Sequence, residues 1–183
     1  MGVTAGDLPL LTALLPADMK KFRCSTAAAD LTVDNIGAWA DEVLAGTVKA
    51  HLKSAEAPVP NDGPVTIVVG SEWETIVKDP TKDVFVKYYA PWCGHCKALA
   101  PHWEDLGKHF EGMPNVVIAK FDSTENEADG VEVQSYPTLI FYPKDNKSGD
   151  IKYDGERELE PLKKWVEENA QSLKEKSPEH DEL

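Results

Sequence analysis

The sequence predicts an α/β fold, because short β-branched and aromatic segments alternate with segments of helical apolar spacing. The chain has 183 residues, 42% of them hydrophobic and 28% charged, which is typical of a folded protein with a core. This length allows one full domain and part of another. The net charge of −13 repels a phosphate backbone, and no apolar run is long enough for a membrane span. We therefore expect neither a nucleic-acid partner nor a membrane-spanning segment.

The first predicted strand and helix lie just after residue 64. Residues 65–69 form a β-branched run that is typical of a short buried strand. Ser71 is followed three residues later by Glu74, the spacing of a capping box, so a helix is predicted over 73–77.

The second strand and helix carry most of the predicted core. Residues 83–90 are rich in β-branched and aromatic side chains, which favours a strand. Residues 93–110 have helical apolar spacing through Leu99, Trp103, Leu106 and Phe110. Pro101 is expected to kink this helix.

The remaining pattern completes a βαβαβ order followed by a hairpin and a helix. Residues 116–121 and 138–142 read as buried strands, and Lys152 and Tyr153 as a short further strand. We expect a short helix between the first two of these strands. The last helix is predicted over 158–173, with Pro161 tolerated in its first turn.

A second, smaller region precedes a turn-rich segment. Residues 53–64 concentrate Pro, Gly, Asn and Asp, as linkers do. Before them, 8–15 and 21–24 suggest a hairpin, and 32–45 an amphipathic helix with Ile36, Trp39, Val43 and Leu44 facing inward. A lone hairpin and helix bury little apolar surface. We therefore expect residues 1–57 to be part of an incomplete domain, 58–64 a linker, 65–173 a full domain and 174–183 a tail.

Two of the three cysteines form Cys93-Gly94-His95-Cys96, placed after a predicted strand and at the start of a predicted helix. The first cysteine of such a turn lies over unpaired backbone N–H groups and the positive end of the helix, which favours thiolate over thiol. A cationic His95 between the sulfurs would add to this effect. A stabilised thiolate also makes the Cys93–Cys96 disulfide a better oxidant of other thiols.

Two other interpretations of the pair remain open. A zinc site would need two further ligands, and no residues with suitable spacing accompany the pair. A structural disulfide across two intervening residues closes too small a loop to stabilise the fold much. Cys24, the third cysteine, is expected to be a buried small apolar side chain.

The segment 89–97 (YAPWCGHCK), with Tyr136-Pro137-Thr138 downstream and a carboxyl-terminal H-D-E-L, resembles the catalytic domain of the protein disulfide isomerase family. The resemblance covers about residues 63–173. It implies a thioredoxin fold, a central mixed sheet flanked by helices. It also implies that residues 1–57 are the last hairpin and helix of a preceding non-catalytic, substrate-binding thioredoxin-like domain.

The resemblance assigns roles residue by residue. It implies that Cys93 attacks, with Gly94 and His95 completing the turn, and that Cys96 resolves the mixed disulfide. Pro137 matches a position that is cis in the family, and Trp92, Tyr136, Pro137 and Thr138 are the implied substrate contacts. Arg157 matches a loop arginine that helps to ionise the second cysteine.

Lys87 departs from the family pattern. A buried glutamate is expected six residues before the first cysteine, where this chain has Lys87, and Lys120 matches the usual lysine partner. Two cations beneath the site repel, so one must reach solvent, find another acid or lose its proton. We hypothesise that a neutral Lys87 accepts the Cys96 proton, or that a charged Lys87 lowers the pKa of Cys96.

The ends of the chain and one turn bear on its compartment. The final residues His180, Asp181, Glu182 and Leu183 match the signal that returns proteins to the endoplasmic reticulum lumen. The first residues lack the features of a secretory leader, so we expect the precursor to be longer and this chain to be a carboxyl-terminal piece or a truncated product. Asn146-Lys147-Ser148 is a glycosylation sequon, whose occupancy a mass measurement decides.

The predicted function is thiol-disulfide oxidation and isomerisation in folding secretory proteins, with no organic cofactor or metal beyond the Cys93–Cys96 pair. The expected partners are unfolded or misfolded secretory proteins, glutathione or a thiol oxidase of the lumen, and the H-D-E-L retrieval receptor. Two alternatives stay open, a dedicated reductase and a redox-independent chaperone or binding module for unfolded chains.

Overall fold

A computed structural model describes residues 8, 10–17 and 20–174. The chain divides into two compact units, Met1–Lys53 and Ser54–Leu183. The predicted retention signal at His180, Asp181, Glu182 and Leu183 lies outside the described residues. No helix in the described part of the chain has the length and apolar character that crossing a membrane requires.

The first unit contains a hairpin and a helix. Strand β1 (Thr12–Leu15) pairs antiparallel with β2 (Lys20–Arg23), and helix α1 spans Val33–Leu44. Thr32 and Asn35 cap α1 with a reciprocal pair of side-chain hydrogen bonds. The prediction that Ile36 and Leu44 face inward is wrong, since they are 37% and 74% exposed.

The second unit is a five-stranded mixed sheet with helices on its faces, which confirms the predicted thioredoxin fold. Its strands are β3 (Thr66–Ile67), β4 (Asp83–Tyr89), β5 (Val116–Asp122), β6 (Thr138–Tyr142) and β7 (Ile151–Tyr153). Its helices are α2 (Trp73–Val77), α3 (Gly94–Phe110), α4 (Leu159–Asn169) and α5 (Gln171–Lys174). The strand order is β3-β5-β4-β6-β7. Strands β3, β4 and β5 run parallel, and β6 is antiparallel to β4 and β7.

Strand β4 lies at the centre of the sheet, and its alternate residues face two separate cores. Phe85 packs on one face against Trp103 of α3, with ring centroids 4.8 Å apart. Val84, Val86 and Tyr88 belong to the core on the other face. By this alternation Lys87 lies on the same face as Phe85, under α3. The strand therefore places a lysine beneath the helix that begins at the cysteine pair.

Two local predictions in the second unit are wrong. The Ser71–Glu74 capping box does not form, because the Ser54 hydroxyl accepts the Ser71 N–H at 2.9 Å and a 3₁₀ turn (Gly70–Glu72) precedes α2. The short helix expected between β5 and β6 is absent from residues 123–137. Asn126 lies in this segment, and its side-chain oxygen accepts the N–H groups of Ala55 and Gly70, both at 2.9 Å. Side-chain bonds to a distant backbone take the place of a helix.

The final helical segment is also divided. Helix α4 ends at Asn169, and Ala170 has an extended backbone (φ −68°, ψ 116°) before α5 begins. Helix α3, in contrast, continues through Pro101.

Residues 58–64, predicted as a linker, belong to the second unit. The Asn61 side-chain amide pairs with both polar backbone groups of Ile67, at 2.8 and 3.0 Å.

Candidate active site

The Cys93 side chain lies at the N-terminus of α3, as the sequence predicts. Strand β4 ends at Tyr89, and Cys93 is the N-cap residue of the helix that begins at Gly94. Its sulfur accepts the Cys96 N–H at 3.4 Å, and its thiol donates to the Tyr136 carbonyl at 3.5 Å. The strand-to-helix turn thus directs a thiol at unpaired backbone N–H groups, where negative charge is favoured.

The two cysteines have opposite pKa shifts. The pKa of the Cys93 thiol is lowered, chiefly by a hydrogen bond from the Cys96 thiol, then by the N–H groups of Cys96 and His95 and the charge of Arg157, while burial opposes. Burial raises the pKa of the Cys96 thiol to about 11, and its hydrogen bond to Cys93 adds to the rise. Cys93 is therefore the sulfur favoured as thiolate, and Cys96 stays protonated at neutral pH.

Three neighbours of the pair are His95, Gly94 and Arg157, and their predicted catalytic roles stay predictions. The His95 side chain is exposed, and His95 helps to lower the pKa of Cys93 through its backbone N–H. Gly94 has open space where a Cβ would lie, so close packing does not require a glycine there. The Arg157 guanidinium acts on Cys93, whereas the resemblance implies an effect on Cys96. An action of Arg157 on Cys96 stays a prediction.

The loop that faces Cys93 contains three of the four implied substrate contacts, and the fourth, Trp92, directly precedes Cys93. The Tyr136–Pro137 peptide bond is cis. Trp92 is 71% exposed, and its ring meets that of Tyr136 edge to face with centroids 5.9 Å apart. Thr138 is buried, and its hydroxyl donates to the Ser135 carbonyl at 2.7 Å, which stabilises the turn. The exposed surface beside Cys93 is accordingly aromatic, and the contacts with substrate stay predictions.

Lys87 is buried beneath the pair. It is 4% exposed, and its ammonium lies 5.5 Å from the ring centroid of Tyr89 and 5.8 Å from that of Trp103. Its register partner on β5 is Lys120. Burial lowers the pKa of Lys87 to about 8, and the charge of Lys120 adds to the fall, whereas Glu104 and Cys96 oppose it. Lys87 and Cys96 therefore interact electrostatically.

Glu104 of α3 is a residue that the sequence reasoning missed. Its carboxylate accepts a hydrogen bond from Lys120 at 2.9 Å, and the Lys120 side chain is 26% exposed. Lys120 thus finds another acid, while Lys87 remains buried. The sequence did indicate that the neighbouring cations Lys87 and Lys120 need a nearby carboxylate, but it did not show which residue supplies it.

The donor set at the site consists of the two thiols. In the described residues, no group of three or more His, Cys, Asp or Glu side chains is arranged to hold a metal ion. Cys93 and Cys96 are both free thiols. Cys24 is also a free thiol and is buried in the first unit, as predicted.

Comparison with known proteins agrees with this geometry. Residues 64–168 match the family model described as Thioredoxin. The chain is 44% identical over 158 residues to the protein disulfide-isomerase of Gallus gallus, covering 86% of this chain and 30% of that protein. It is 40% identical over 179 residues to the protein disulfide-isomerase of Humicola insolens, covering 92% of this chain and 35% of that protein.

A solved structure supports the same assignment. The solution structure of the first thioredoxin domain of mouse protein disulfide-isomerase A4 has a TM-score of 0.52 and 28% sequence identity, covering 70% of this chain and 89% of that one. The chain therefore belongs to the thioredoxin family, with a thioredoxin domain of the protein disulfide-isomerase type.

Proposed function

We propose that the second unit catalyses thiol-disulfide exchange on folding secretory proteins, with Cys93 as nucleophile and Cys96 as resolving thiol. The observation that carries this proposal is the opposite direction of the two pKa shifts within one helical turn. A thiolate is the nucleophile of exchange, and a protonated neighbour does not compete with it for the first attack.

The reaction proceeds through a covalent intermediate. The Cys93 thiolate attacks one sulfur of a substrate disulfide, so a Cys93–substrate disulfide forms and the other substrate sulfur leaves as a thiolate. Cys96 then loses its proton and attacks the Cys93 sulfur, which forms the Cys93–Cys96 disulfide and releases the second substrate thiolate. The substrate disulfide is reduced and the cysteine pair is oxidised. The same steps in reverse form a disulfide in a reduced substrate.

The oxidising direction is favoured over a dedicated reductase. Groups that stabilise the Cys93 thiolate stabilise the reduced pair and so raise its reduction potential. The proposed substrates are unfolded or misfolded secretory proteins, and glutathione or a thiol oxidase restores the disulfide. The proposed location is the endoplasmic reticulum lumen, with retrieval by an H-D-E-L receptor. The disulfide-isomerase names of the relatives and the terminal tetrapeptide support these assignments.

The rate of Cys93 alkylation tests the lowered pKa. With an uncharged alkylating reagent, we expect the rate to rise with pH through an inflection below about 8.5, the ordinary value of a cysteine thiol. The Cys24→Ser variant serves as the background and removes the third thiol. An inflection at or above 8.5 would contradict the proposed nucleophile.

Lys87 is the proposed proton partner of Cys96. Below the pKa of Lys87, about 8, both groups hold their protons, and above it the pair shares one proton, so the Cys96 thiolate becomes accessible. We expect Lys87→Met to remove this inflection from the pH profile of substrate release. At pH 7 the release rate should fall by about tenfold, because the charge that favours the Cys96 thiolate is lost.

Stopped-flow release of a fluorescent peptide from the Cys93 mixed disulfide measures this profile. Lys164→Met is the matched control, since Lys164 is an exposed lysine of α4 with 78% of its side chain accessible. An unchanged profile in Lys87→Met would exclude both the proton-transfer and the electrostatic role of Lys87.

A second candidate function is a chaperone that binds unfolded chains without using its thiols. The observation that favours it is the exposed ring of Trp92 beside the pair, which packs against the partly buried ring of Tyr136. Exposed aromatic surface is typical of binding sites for apolar segments. Serine substitution of the cysteines separates the two functions.

A further inference from the structure

The Glu104–Lys120 ion pair lies next to the buried Lys87. A partly exposed ion pair such as this one stabilises a fold by little. The location of this ion pair therefore suggests a role other than stabilising the fold. Lys120 stands beside Lys87 in the β4–β5 register, and Glu104 reaches Lys120 from the helix that Cys93 caps.

The charged and titratable groups around Lys87 come from three elements. Lys120 faces it from β5, Cys96 and Glu104 from α3, and the Tyr89 ring from its own strand. Its register partner on β6 is Leu139, which is apolar. Two ammonium groups side by side in a site of low polarity repel, and the carboxylate that compensates them is that of Glu104.

We propose that Glu104 is a positioning residue for the exchange reaction, which acts through Lys120 to keep a charged Lys87 beneath Cys96 at neutral pH. Because Glu104 neutralises Lys120, Lys87 retains its proton at neutral pH and gives the Cys96 thiolate a cationic neighbour. Without Glu104, the unopposed charge of Lys120 expels the proton from Lys87 at a lower pH. This inference rests on the proposed function of the cysteine pair.

The expected result is a pair of opposite shifts in the pH profile of Cys96-dependent substrate release. Glu104→Gln should move the inflection near pH 8 toward acid by roughly half a pH unit, and Lys120→Met should move it toward alkali. Glu104→Asp, which keeps the carboxylate, should restore most of the original profile. Loss of a merely structural contact would not move the inflection in opposite directions.

Asp105→Asn is the matched control. Asp105 is the next residue of α3, and its carboxylate pairs with the exposed Lys108 at 2.8 Å instead of Lys120. We expect its inflection to coincide with that of the unmodified chain. An equal shift in Asp105→Asn and Glu104→Gln would overturn the proposal, because it would show a general effect of surface charge.

A readout independent of turnover separates this inference from the proposed function. The titration of the Lys87 ammonium in the reduced chain, followed by NMR of ¹³C-labelled lysine and assigned with Lys87→Met, should shift toward acid in Glu104→Gln. An unmoved titration would overturn the role of Glu104 whether or not the chain catalyses exchange. Absence of substrate release from the unmodified chain would instead refute the proposed function and leave the titration to decide on Glu104.

Discussion

Replacing Cys93 by serine is expected to reduce thiol-disulfide exchange by at least about 1,000-fold, because a serine hydroxyl is not ionised at neutral pH and cannot form the mixed disulfide. Cys96→Ser should behave differently. Cys93 still attacks, but no thiol resolves the intermediate, so substrate accumulates as a covalent adduct. Oxidation of a dithiol peptide measures the first effect, and non-reducing electrophoresis the second.

Cys24→Ser is the matched control for both variants. Cys24 is a free buried thiol like Cys93, but it belongs to the first unit. We expect this variant to retain full exchange activity. Full activity in Cys93→Ser, or an adduct on Cys24, would refute the assignment of the nucleophile.

The double variant Cys93→Ser with Cys96→Ser distinguishes the two candidate functions. If the chain is an exchange catalyst, oxidation and isomerisation disappear together. Suppression of aggregation should persist, since Trp92 keeps its exposed aromatic surface. Retention of disulfide rearrangement by the double variant would mean that the sulfurs are not the reacting groups.

Local sequence patterns predicted the site because its central geometry is local. Cys93, the helix N-terminus and the Cys96 N–H lie within four consecutive residues, so backbone geometry alone brings them together. The buried strand β4 was equally readable, because its apolar run is long and bounded on both sides. Such features need no knowledge of the tertiary packing.

The features that sequence reasoning missed depend on contacts between distant segments. Ser71 has a capping-box pattern, yet Ser54 occupies its N–H from 17 residues away. Asn126 follows a polar turn, and no local pattern shows that its side chain bonds to Ala55, 71 residues away. Glu104 reaches Lys120 only because α3 packs on a particular face of the sheet. Periodicity shows that a face is apolar, but it does not say which polar side chains meet across it.

Lys87→Met is expected to raise the free energy of unfolding at pH 7 by about 3 kcal/mol, even as it slows substrate release. The pKa of Lys87 falls from about 10.4 in an unfolded chain to about 8 in the fold, and each unit corresponds to about 1.4 kcal/mol. Methionine is apolar, adaptable in shape and able to pack against Tyr89 and Trp103. The charged lysine therefore opposes folding at the pH where it assists Cys96.

The sign of the pH dependence follows from the lowered pKa of a cationic group. Between pH 8 and about 10.4 the unfolded chain binds a proton at Lys87 that the folded chain has lost, so the free energy of unfolding rises with pH in this window. The advantage of Lys87→Met should thus be largest below pH 8 and shrink toward pH 10. Urea unfolding of the unmodified chain and the variant at pH 7 and pH 10 measures it.

Comparing the two chains at each pH is necessary because other groups titrate in the same range. Lys147 also has a pKa lowered by burial to about 8, and burial raises the pKa of Tyr88 to about 12. These contributions cancel in the difference between the unmodified chain and Lys87→Met. The exposed Lys164→Met should change stability little at either pH. If Lys87→Met raised the free energy of unfolding equally at pH 7 and pH 10, the gain would come from packing alone. That result would contradict the proposal that the charge of Lys87 destabilises the fold.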